Sequence, residues 1–437
     1  MSTNGRRQQA GLARVAVVSG VRTPFTRAGT LYRDLTPVEL ARLTLVELMH
    51  RASIAPEDVD HVVLGNVIPS IHAPNVAREA ALGAGVSPRT PAFTVNRACA
   101  SSNTAITSCA EAILSGHAEV AIGGGVEMMS DVPILWAKPM RKLLIAASKA
   151  KGIGAKLGLF ARIRPRFFVP EAPAIAEFST GLSMGQSCEK MAKDNHISRA
   201  AQDELAWKSH MNAAKATDDG RMKDETFHVI VPPRYEEVAV EDNGIRRDST
   251  VEALSQLRPV FDRRYGTITA GNSSGLTDGA SAVLLMAEDK ARAEGRKPLG
   301  VLRSWAYAAI DPRDQLLLGP AYAVPDALER AGLTLKDMDL VEMHEAFAAQ
   351  VLSTTQALAS RTFAVEKLGR DEPVGEVDPA KLNTRGGSIA IGHPCGATGA
   401  RLVMSTLLEL GRLGKQFGLV TVCAAGGMGV AMVVERV

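Results

Sequence analysis

The sequence lacks the features of a membrane-spanning or disulfide-stabilised protein. No apolar run in its 437 residues reaches the roughly 20 residues that a membrane-spanning helix needs. Its five cysteines show no CxxC spacing, which argues against a disulfide framework or a zinc finger and favours a reducing compartment. Aromatic residues make up only 4% of the chain, and the net charge is only +3. The polar N-terminus carries no apolar segment, so we expect no signal peptide and a cytoplasmic location.

Apolar strands alternate with amphipathic helices along the chain. Val15–Val18 is a β-rich apolar run, and Thr36-Pro37 predicts a helix start with Thr36 as the cap. Val59–Leu64 predicts a further strand after an acidic turn at 54–58. Strands that alternate with helices indicate parallel sheets covered by helices, so we predict an α/β fold. The length predicts two or three cores.

The same pattern returns in the second half of the chain. A helix at Ala323–Ala331 and a strand at Met338–Met343 repeat the order of the first stretch. The segments Ala118–Met129 and Gly418–Met432 also match, and each is interpreted as a strand, a glycine turn and another strand. A self-match over this distance predicts two copies of one strand–helix module.

Between the copies lies an insertion whose first part is basic. Residues 133–170, called here the basic segment, hold nine Lys or Arg and no acidic residue, with Leu, Ile and Phe interleaved. The segment is either a solvated helical face or a surface for an anionic ligand, a partner subunit or a membrane. No recognition motif accompanies the charge, so we expect no nucleic-acid partner. The predicted domains are an N-terminal half at 12–130 plus 260–297, an inserted loop domain at 131–259 and a C-terminal half at 298–437.

Cys99 lies between an apolar approach and a run of small residues. The approach, Pro91–Val95, predicts a buried strand, and the residues that follow predict a helix capped by Ser101, Ser102 or Asn103. Cys99 would then lie near a helix N-terminus, where free N–H groups and the helix dipole stabilise negative charge. It is therefore a candidate nucleophile, although a lone cysteine is more often a buried structural residue.

Three further stretches carry candidate catalytic residues. His344 follows a predicted strand, at the sheet edge where parallel sheets bind ligands. His393 and Cys395 lie in Gly386–Gly399, whose five glycines keep other side chains away from the histidine. Cys423 ends another predicted strand beside a glycine turn. The Cys and His spacing matches no zinc pattern, so we expect no metal site.

At these residues the sequence resembles the thiolase family over essentially its whole length. Four stretches match the family's motifs in order and approximate spacing: Asn96–Asn103, His344–Phe347, Gly392–Gly399 and Cys423–Gly429. The resemblance implies a thiolase-like fold, in which two similar βαβαβαββ halves form a five-layered αβαβα arrangement with an inserted loop domain. It also implies a homodimer, and no cofactor, since coenzyme A is a substrate.

The resemblance further implies a role for each motif residue. Cys99 would take an acyl group as the nucleophile, His393 would deprotonate it, and Cys423 would exchange a proton at C2 of acetyl-CoA. One oxyanion hole would use His393 together with His344, and the other would use the backbone N–H groups of Cys99 and Ala425. Cys395 would be a neighbour rather than a reactant. The implied substrate contacts are Ser274 and Arg246 for CoA and Met184 for the acyl chain.

Some residues depart from the common thiolase pattern. His344 stands where most thiolases have Asn, and His-Glu-Ala-Phe resembles the β-subunit of fatty-acid oxidation trifunctional complexes. That subclass pairs with an α-subunit carrying enoyl-CoA hydratase and 3-hydroxyacyl-CoA dehydrogenase activities, sometimes at a membrane. The resemblance therefore implies an α-subunit partner and a peripheral membrane contact. Ala425 replaces the commoner Gly, and Ala253 stands where a CoA-contacting Ser is common.

The implied activity is that of a degradative 3-ketoacyl-CoA thiolase, which cleaves 3-oxoacyl-CoA with CoA to acetyl-CoA and a shortened acyl-CoA. A β-ketoacyl synthase of the same fold is disfavoured by the second reactive cysteine, Cys423. A non-catalytic lipid-binding or scaffold subunit is disfavoured because all four catalytic positions carry competent side chains. A biosynthetic acetoacetyl-CoA thiolase is the remaining alternative, since flux and pocket size set the direction.

Overall fold

The structure is a computed structural model that describes residues 14–171 and 176–437. The first module alternates strands and helices as the sequence predicts. Its elements are β1 (Val15–Arg22), β2 (Thr26–Arg27), α1 (Pro37–Ala52), β3 (His61–Gly65), α2 (Val76–Gly83), β4 (Ala92–Val95), α3 (Ser101–Leu114) and β5 (Val120–Glu127). Thr36 caps α1 in a capping box with Glu39, and Pro37 is its first residue, as predicted.

The insertion follows β5 and then returns the chain to the first module. The insertion contains β6 (Leu135–Trp136), α4 (Lys138–Lys149), α5 (Ile153–Phe160), β7 (Pro170–Glu171), α6 (Met184–Asp194), α7 (Arg199–Asp218), β8 (Val229–Val231), β9 (Glu237–Ala239) and α8 (Val251–Ser255). The chain re-enters the first module through β10 (Thr277–Ala287) and α9 (Glu288–Ala293).

The second module repeats the order of the first except at β4, for which the described residues show no corresponding strand. Its elements are β11 (Gly300–Ala309), α10 (Gly319–Ala331), β12 (Leu340–Met343), α11 (Ala348–Ala359), α12 (Arg361–Leu368), α13 (Ser388–Ile391), α14 (Thr398–Leu413), β13 (Phe417–Ala424) and β14 (Met428–Glu435). Single 3₁₀ turns lie at Pro56–Asp58, Pro165–Phe168, Leu316–Leu318 and Leu335–Asp337.

The sheet shows the duplication directly. Its strands run β12-β13-β14-β11-β1-β10-β5-β3-β4, with β2 beside β10. The order β3-β5-β10-β1 in the first module matches β12-β13-β14-β11 in the second, and the parallel and antiparallel pairings also match. The two halves of the sheet join where Val15–Val17 of β1 pairs with Gly300–Leu302 of β11.

Three apolar cores divide the fold into five layers. The central core contains side chains of α3 and α14, such as Ile106 and Leu402, packed between the two halves of the sheet. A second core packs α1 and α2 on the outer face of the first module, and a third packs α10 and α11 on the outer face of the second. The order of layers is therefore αβαβα, as predicted.

Two local predictions are wrong. The strand before Cys99, β4, lies at the edge of the sheet and is half-exposed rather than buried, because only β3 pairs with it among the described residues. Gly123–Gly125 form no turn but lie inside β5. A Cβ at Gly123 would approach Cα of Ile106 at 2.9 Å, so these glycines let α3 pack close against the strand. The strand that pairs with β5, as β14 pairs with β13, is β10, which follows the insertion.

The basic segment forms α4 and α5 on the surface. Helix α4 buries Met140, Leu143 and Ala147, while no residue of α5 is buried. No helix among the described residues is both long and apolar enough to cross a bilayer.

Candidate active site

Cys99 lies in a tight turn between β4 and α3. The residue before it, Ala98, has a φ of +46°, a left-handed conformation that non-glycine residues seldom adopt. The hydroxyl of Ser101 holds this turn, because it accepts a hydrogen bond from the Arg97 N–H at 2.8 Å and donates one to the Ala98 carbonyl at 2.6 Å. The turn therefore places the Cys99 thiol just before the first residue of α3.

The residues predicted to cap α3 make other hydrogen bonds. The N-cap residue is Ala100, which makes no side-chain capping bond. Ser101 fixes the turn of Cys99, and the Ser102 hydroxyl accepts a hydrogen bond from the N–H of Ala400 in α14 at 3.0 Å. The assignment of Ser101, Ser102 or Asn103 as caps is therefore wrong. The hydroxyls of Ser101 and Ser102 bond instead to the turn before α3 and to α14.

His393 contacts Cys99 across the boundary between the modules. Its Nε2 lies 3.1 Å from the Cys99 sulfur, and its Nδ1 lies 2.7 Å from the Thr398 hydroxyl. That hydroxyl lies 3.4 Å from the carbonyl of Pro394 and donates to it, so it can accept a hydrogen bond from Nδ1–H. The His393 Nε2 lone pair then faces the thiol, which is the arrangement of a general base.

The turn that carries His393 is pressed against the strand ends of the first module. A Cβ at Gly396 would lie 2.7 Å from the Gly65 carbonyl oxygen, and a Cβ at Gly125 would overlap the Gly396 carbonyl. The glycines around His393 therefore allow two backbones to touch, as the sequence indicated.

Glu127 stabilises this contact, although it belongs to none of the four motif stretches. Its buried carboxylate accepts hydrogen bonds from the N–H groups of Gly396, Val67 and Ile68 at 2.9 to 3.0 Å and from the Asn66 amide at 3.1 Å. Burial raises the pKa of Glu127 to about 7, while these hydrogen bonds and the nearby His393 oppose the rise. A glutamate at the end of a fully apolar strand was the signal that could have identified it.

His344 lies beside His393 at the end of β12. Its backbone N–H donates to the Thr421 carbonyl at 2.9 Å, and its ring centroid is 4.1 Å from that of His393. Its Nδ1 lies 2.8 Å from the Ser388 hydroxyl, while its buried Nε2 has no hydrogen-bond partner within the described part of the chain. Burial first, and then His393 and Arg401, hold the pKa of His344 well below its usual value, so the ring is neutral.

Cys423 lies on the same sheet edge, one strand away. Met343 is paired with Thr421 in the parallel ladder of β12 and β13, so His344 and Cys423 both emerge at the carboxyl ends of these strands. Cys423 is buried in the apolar core of the second module, and burial raises the pKa of its thiol. The structure records no hydrogen bond between this thiol and Cys99 or His393. Ala425, half-buried, follows it at the start of the glycine turn.

Two backbone N–H groups named by the sequence analysis are free to bind a ligand. Those of Cys99 and Ala425 have no hydrogen-bond partner among residues 14–171 and 176–437. Cys395, the predicted neighbour, is half-buried beside Cys99. A hydrogen bond to Cys99, followed by burial, raises the pKa of the Cys395 thiol well above its usual value, so this thiol stays protonated.

The three predicted substrate contacts lie in different parts of the fold. The N–H of Ser274 donates to the carbonyl of Ala346 at 3.0 Å, two residues from His344. Met184, half-buried at the start of α6, packs against the apolar core that contains Cys423. Arg246 is exposed in the insertion, where its N–H lies 3.2 Å from Nδ1 of His210. The roles of Ser274, Met184 and Arg246 as substrate contacts remain predictions.

The centre also contains a set of possible metal ligands. The ligand atoms of Cys99, His344 and His393 lie within 4.8 Å of one another. One thiol and two imidazoles suit Zn²⁺. The prediction of no metal site considered only local spacing, and His344 joins this set through the fold.

The fold and this arrangement define a class: a duplicated α/β enzyme whose cysteine–histidine pair, drawn from both modules, is suited to acyl transfer. The family model for the thiolase N-terminal domain matches residues 15–289, and that for the thiolase C-terminal domain matches residues 296–436. The chain belongs to the thiolase family.

Curated relatives and solved structures cover nearly the whole chain. The chain is 50% identical over 422 residues to the 3-ketoacyl-CoA thiolase of Yersinia pestis (strain Pestoides F), which spans 97% of each protein. The 3-ketoacyl-CoA thiolase of Yersinia pseudotuberculosis (serotype O:1b, strain IP 31758) has the same identity and coverage. Among solved structures, the Bacillus anthracis acetyl-CoA acetyltransferase superposes with a TM-score of 0.84 at 33% identity, over 98% of this chain and 99% of that one. Human mitochondrial 3-ketoacyl-CoA thiolase superposes with a TM-score of 0.83 at 32% identity, over 98% and 100%.

Proposed function

We propose that this protein acts as a 3-ketoacyl-CoA thiolase, an acetyl-CoA C-acyltransferase of fatty-acid β-oxidation. It cleaves 3-oxoacyl-CoA with CoA to acetyl-CoA and an acyl-CoA two carbons shorter, and CoA is a substrate rather than a cofactor. The observation that carries the proposal is the 3.1 Å contact between the Cys99 sulfur and His393 Nε2, in a chain 50% identical to two 3-ketoacyl-CoA thiolases.

The first half-reaction forms an acyl-enzyme. His393 takes the Cys99 thiol proton, and the sulfur attacks the 3-oxo carbon of the substrate. The C2–C3 bond then breaks, so that the acyl group stays on Cys99 and the electron pair leaves as the enolate of acetyl-CoA. The Cys423 thiol protonates C2 of this enolate and becomes a thiolate, and acetyl-CoA departs.

The second half-reaction transfers the acyl group to CoA. The Cys423 thiolate takes the proton of the CoA thiol, which restores Cys423. The CoA sulfur attacks the thioester, the C–S bond to Cys99 breaks, and His393 returns its proton to the Cys99 sulfur. Each group thus ends the cycle in its starting state.

Two sets of donors suit the two developing oxyanions. The unpartnered Nε2 of His344, beside His393, supports an oxyanion hole built from these two imidazoles. The unpaired N–H groups of Cys99 and Ala425 support a second hole. Removing one such donor typically costs about 100- to 1000-fold in rate. For substrate binding we propose Ser274, Met184 and Arg246.

A biosynthetic acetoacetyl-CoA thiolase is the second candidate, because the Bacillus anthracis acetyl-CoA acetyltransferase shares the fold. The test is CoA-dependent loss of 3-oxohexadecanoyl-CoA and, separately, of acetoacetyl-CoA by the purified protein, with Cys99→Ala as the blank. Cleavage of the long substrate supports the degradative role, and cleavage of acetoacetyl-CoA alone supports the biosynthetic one. Loss of neither substrate would contradict both and favour a non-catalytic subunit.

The proposal extends to a surface for an α-subunit, with the enzyme in the cytoplasm and in peripheral contact with the membrane. On α5, Ile153 and Leu157 are 77% and 63% exposed beside Lys151 and Lys156. Exposed apolar side chains among cations suit an anionic lipid surface or a partner subunit. Replacing Ile153 and Leu157 with Asn should weaken both sedimentation with anionic liposomes and co-purification of a hydratase/dehydrogenase from the native host. Val365→Asn on α12 is the exposed control, and unchanged behaviour in both assays would refute this extension.

The proposed homodimer uses the edge of the sheet. Within the described residues β4 pairs only with β3, and its Phe93 is exposed. An unpaired edge with an apolar side chain suits contact with a second copy. Phe93→Lys should therefore give a monomer in light scattering, while Leu413→Lys, at an exposed site on α14, should not.

A further inference from the structure

Ser388 connects the His344 ring to a buried arginine. The Ser388 hydroxyl oxygen lies 2.8 Å from Nδ1 of His344 and 3.2 Å from Nη2 of Arg401. All three side chains are shielded from solvent, with exposures of 0% for His344 and Ser388 and 1% for Arg401. Because almost no solvent reaches these three side chains, the positions of their polar hydrogens follow from the donors and acceptors present.

Arginine can only donate, so Arg401 donates to the Ser388 oxygen. The hydroxyl has one hydrogen of its own, and within the described residues its only other partner is His344. If Nδ1 carried the ring proton, the hydroxyl hydrogen would be buried without an acceptor, which is unfavourable. The hydroxyl therefore donates to Nδ1, and the neutral ring carries its proton on Nε2.

We propose that Ser388, oriented by Arg401, is a positioning residue that fixes His344 as an Nε2–H donor toward the reacting carbonyl oxygen. The inference rests on the proposed function, since it gives Nε2 its oxyanion. Nε2 is the ring nitrogen of His344 without a hydrogen-bond partner among the described residues. One ring nitrogen of His344 lies within 4.8 Å of the Cys99 sulfur and of a ring nitrogen of His393.

The neighbouring histidine is set the opposite way. Thr398 donates to a backbone carbonyl and accepts from Nδ1–H of His393, which leaves a lone pair on Nε2. Two imidazoles with centroids 4.1 Å apart thus have opposite polarity beside Cys99, a donor on His344 and an acceptor on His393. The hydroxyls of Ser388 and Thr398 determine which nitrogen of each ring carries the proton. Without Ser388, His344 could move its proton to Nδ1 and turn a lone pair toward the developing oxyanion.

The test compares Ser388→Ala and Ser388→Thr with the wild type. The matched control is Ser304→Ala, which removes a buried serine hydroxyl bonded to a carbonyl in the outer layer. The first readout is the ¹⁵N shift of the His344 ring nitrogens in histidine-labelled protein, assigned with His344→Asn. The second is kcat and KM for 3-ketoacyl-CoA cleavage.

We expect a protonated Nε2 in the wild type and the control. Ser388→Ala should mix the two tautomers and lower kcat about 10- to 100-fold with little change in KM, because it misorients an oxyanion donor without deleting it. Ser388→Thr should restore both readouts. A wild-type ring protonated on Nδ1, or a loss of kcat in Ser388→Ala without a change of tautomer, would overturn the proposal. The tautomer is measured without turnover, so an inactive wild type would refute the proposed function and leave this readout to decide the inference.

Discussion

The carboxylate of Glu127, at the end of β5 in the first module, accepts a hydrogen bond from the N–H of Gly396, in the turn that carries His393 in the second. Each carboxylate oxygen accepts two hydrogen bonds, and every partner is a donor from a loop or turn at the module boundary. Glu127 therefore helps to fix the position of His393 relative to Cys99.

Glu127→Gln should weaken that connection. An amide offers one acceptor oxygen, so its NH₂ group must face N–H donors that it cannot satisfy. We expect a loss of about 1–3 kcal/mol in the free energy of unfolding, measured in urea, and a lower kcat from a misplaced His393. Glu111→Gln, at an exposed site on α3, should change neither, and an unaltered kcat in Glu127→Gln would contradict the positioning role.

Gly125→Ala should damage the same boundary by overpacking. The added methyl group overlaps the Gly396 carbonyl oxygen, and both partners are backbone atoms that cannot rotate away. Overpacking typically costs about 1–3 kcal/mol, so the melting temperature should fall. Gly154→Ala on α5, where a Cβ meets no atom within 4 Å, is the control. Equal melting temperatures for the two variants would show that the boundary is looser than described.

Cys99→Ala should abolish turnover and leave the fold intact, because no other group can carry the acyl chain. Mass spectrometry after mixing with 3-oxoacyl-CoA in the absence of CoA should detect an acyl adduct in the wild type and none in the variant. Cys109→Ala removes a buried thiol about two turns into α3 and should still form the adduct. Appreciable residual cleavage by Cys99→Ala would refute the assignment of the nucleophile.

Cys423→Ala should uncouple proton exchange from acylation. The proposed role of Cys423 is to move a proton to and from C2 of acetyl-CoA, and general acid–base groups contribute about 100- to 10,000-fold. Exchange of deuterium from solvent into the acetyl-CoA methyl group, followed by NMR, should slow by a factor in that range. Exchange at the wild-type rate would assign this proton to another group.

Glu342 should leave a pH signature on stability. Burial raises its pKa from 4.5 to about 7, with Arg401 opposing the rise. Between these values the folded state holds a proton that the unfolded state has lost, so the free energy of unfolding falls as the pH rises toward 7. Glu342→Gln cannot titrate. The stability of the wild type relative to this variant should therefore fall by about 3 kcal/mol between pH 4.5 and pH 7, and a constant difference would contradict it.

The sequence predicts the periodic part of the fold well. The capped start of α1 and the repeat of strand, helix and strand follow from local patterns, and the structure confirms them. The αβαβα layering is implied by the thiolase resemblance. The pattern also predicts parallel sheets, but the sheet is mixed, because its central strands pair antiparallel. What it predicts poorly depends on neighbours far along the chain. Whether Pro91–Val95 is buried depends on its place at the sheet edge, and the flat course of Gly123–Gly125 depends on how closely α3 packs.

The same distinction applies to the site. Motifs singled out Cys99, His344 and His393, and the structure brings these three together. Their proposed roles, and that of Cys423, remain predictions. Glu127 and Ser388 did not stand out, because their importance lies in partners 269 and 44 residues away in the chain. A buried acid or serine has no local pattern that reveals such a partner.

Cys99 and His393 belong to different modules, so the contact between them can form only when both modules have folded. During refolding, an intermediate with only its amino-terminal module native would hold the sulfur without a proton acceptor. Recovery of turnover should therefore lag behind recovery of circular dichroism until both modules have docked.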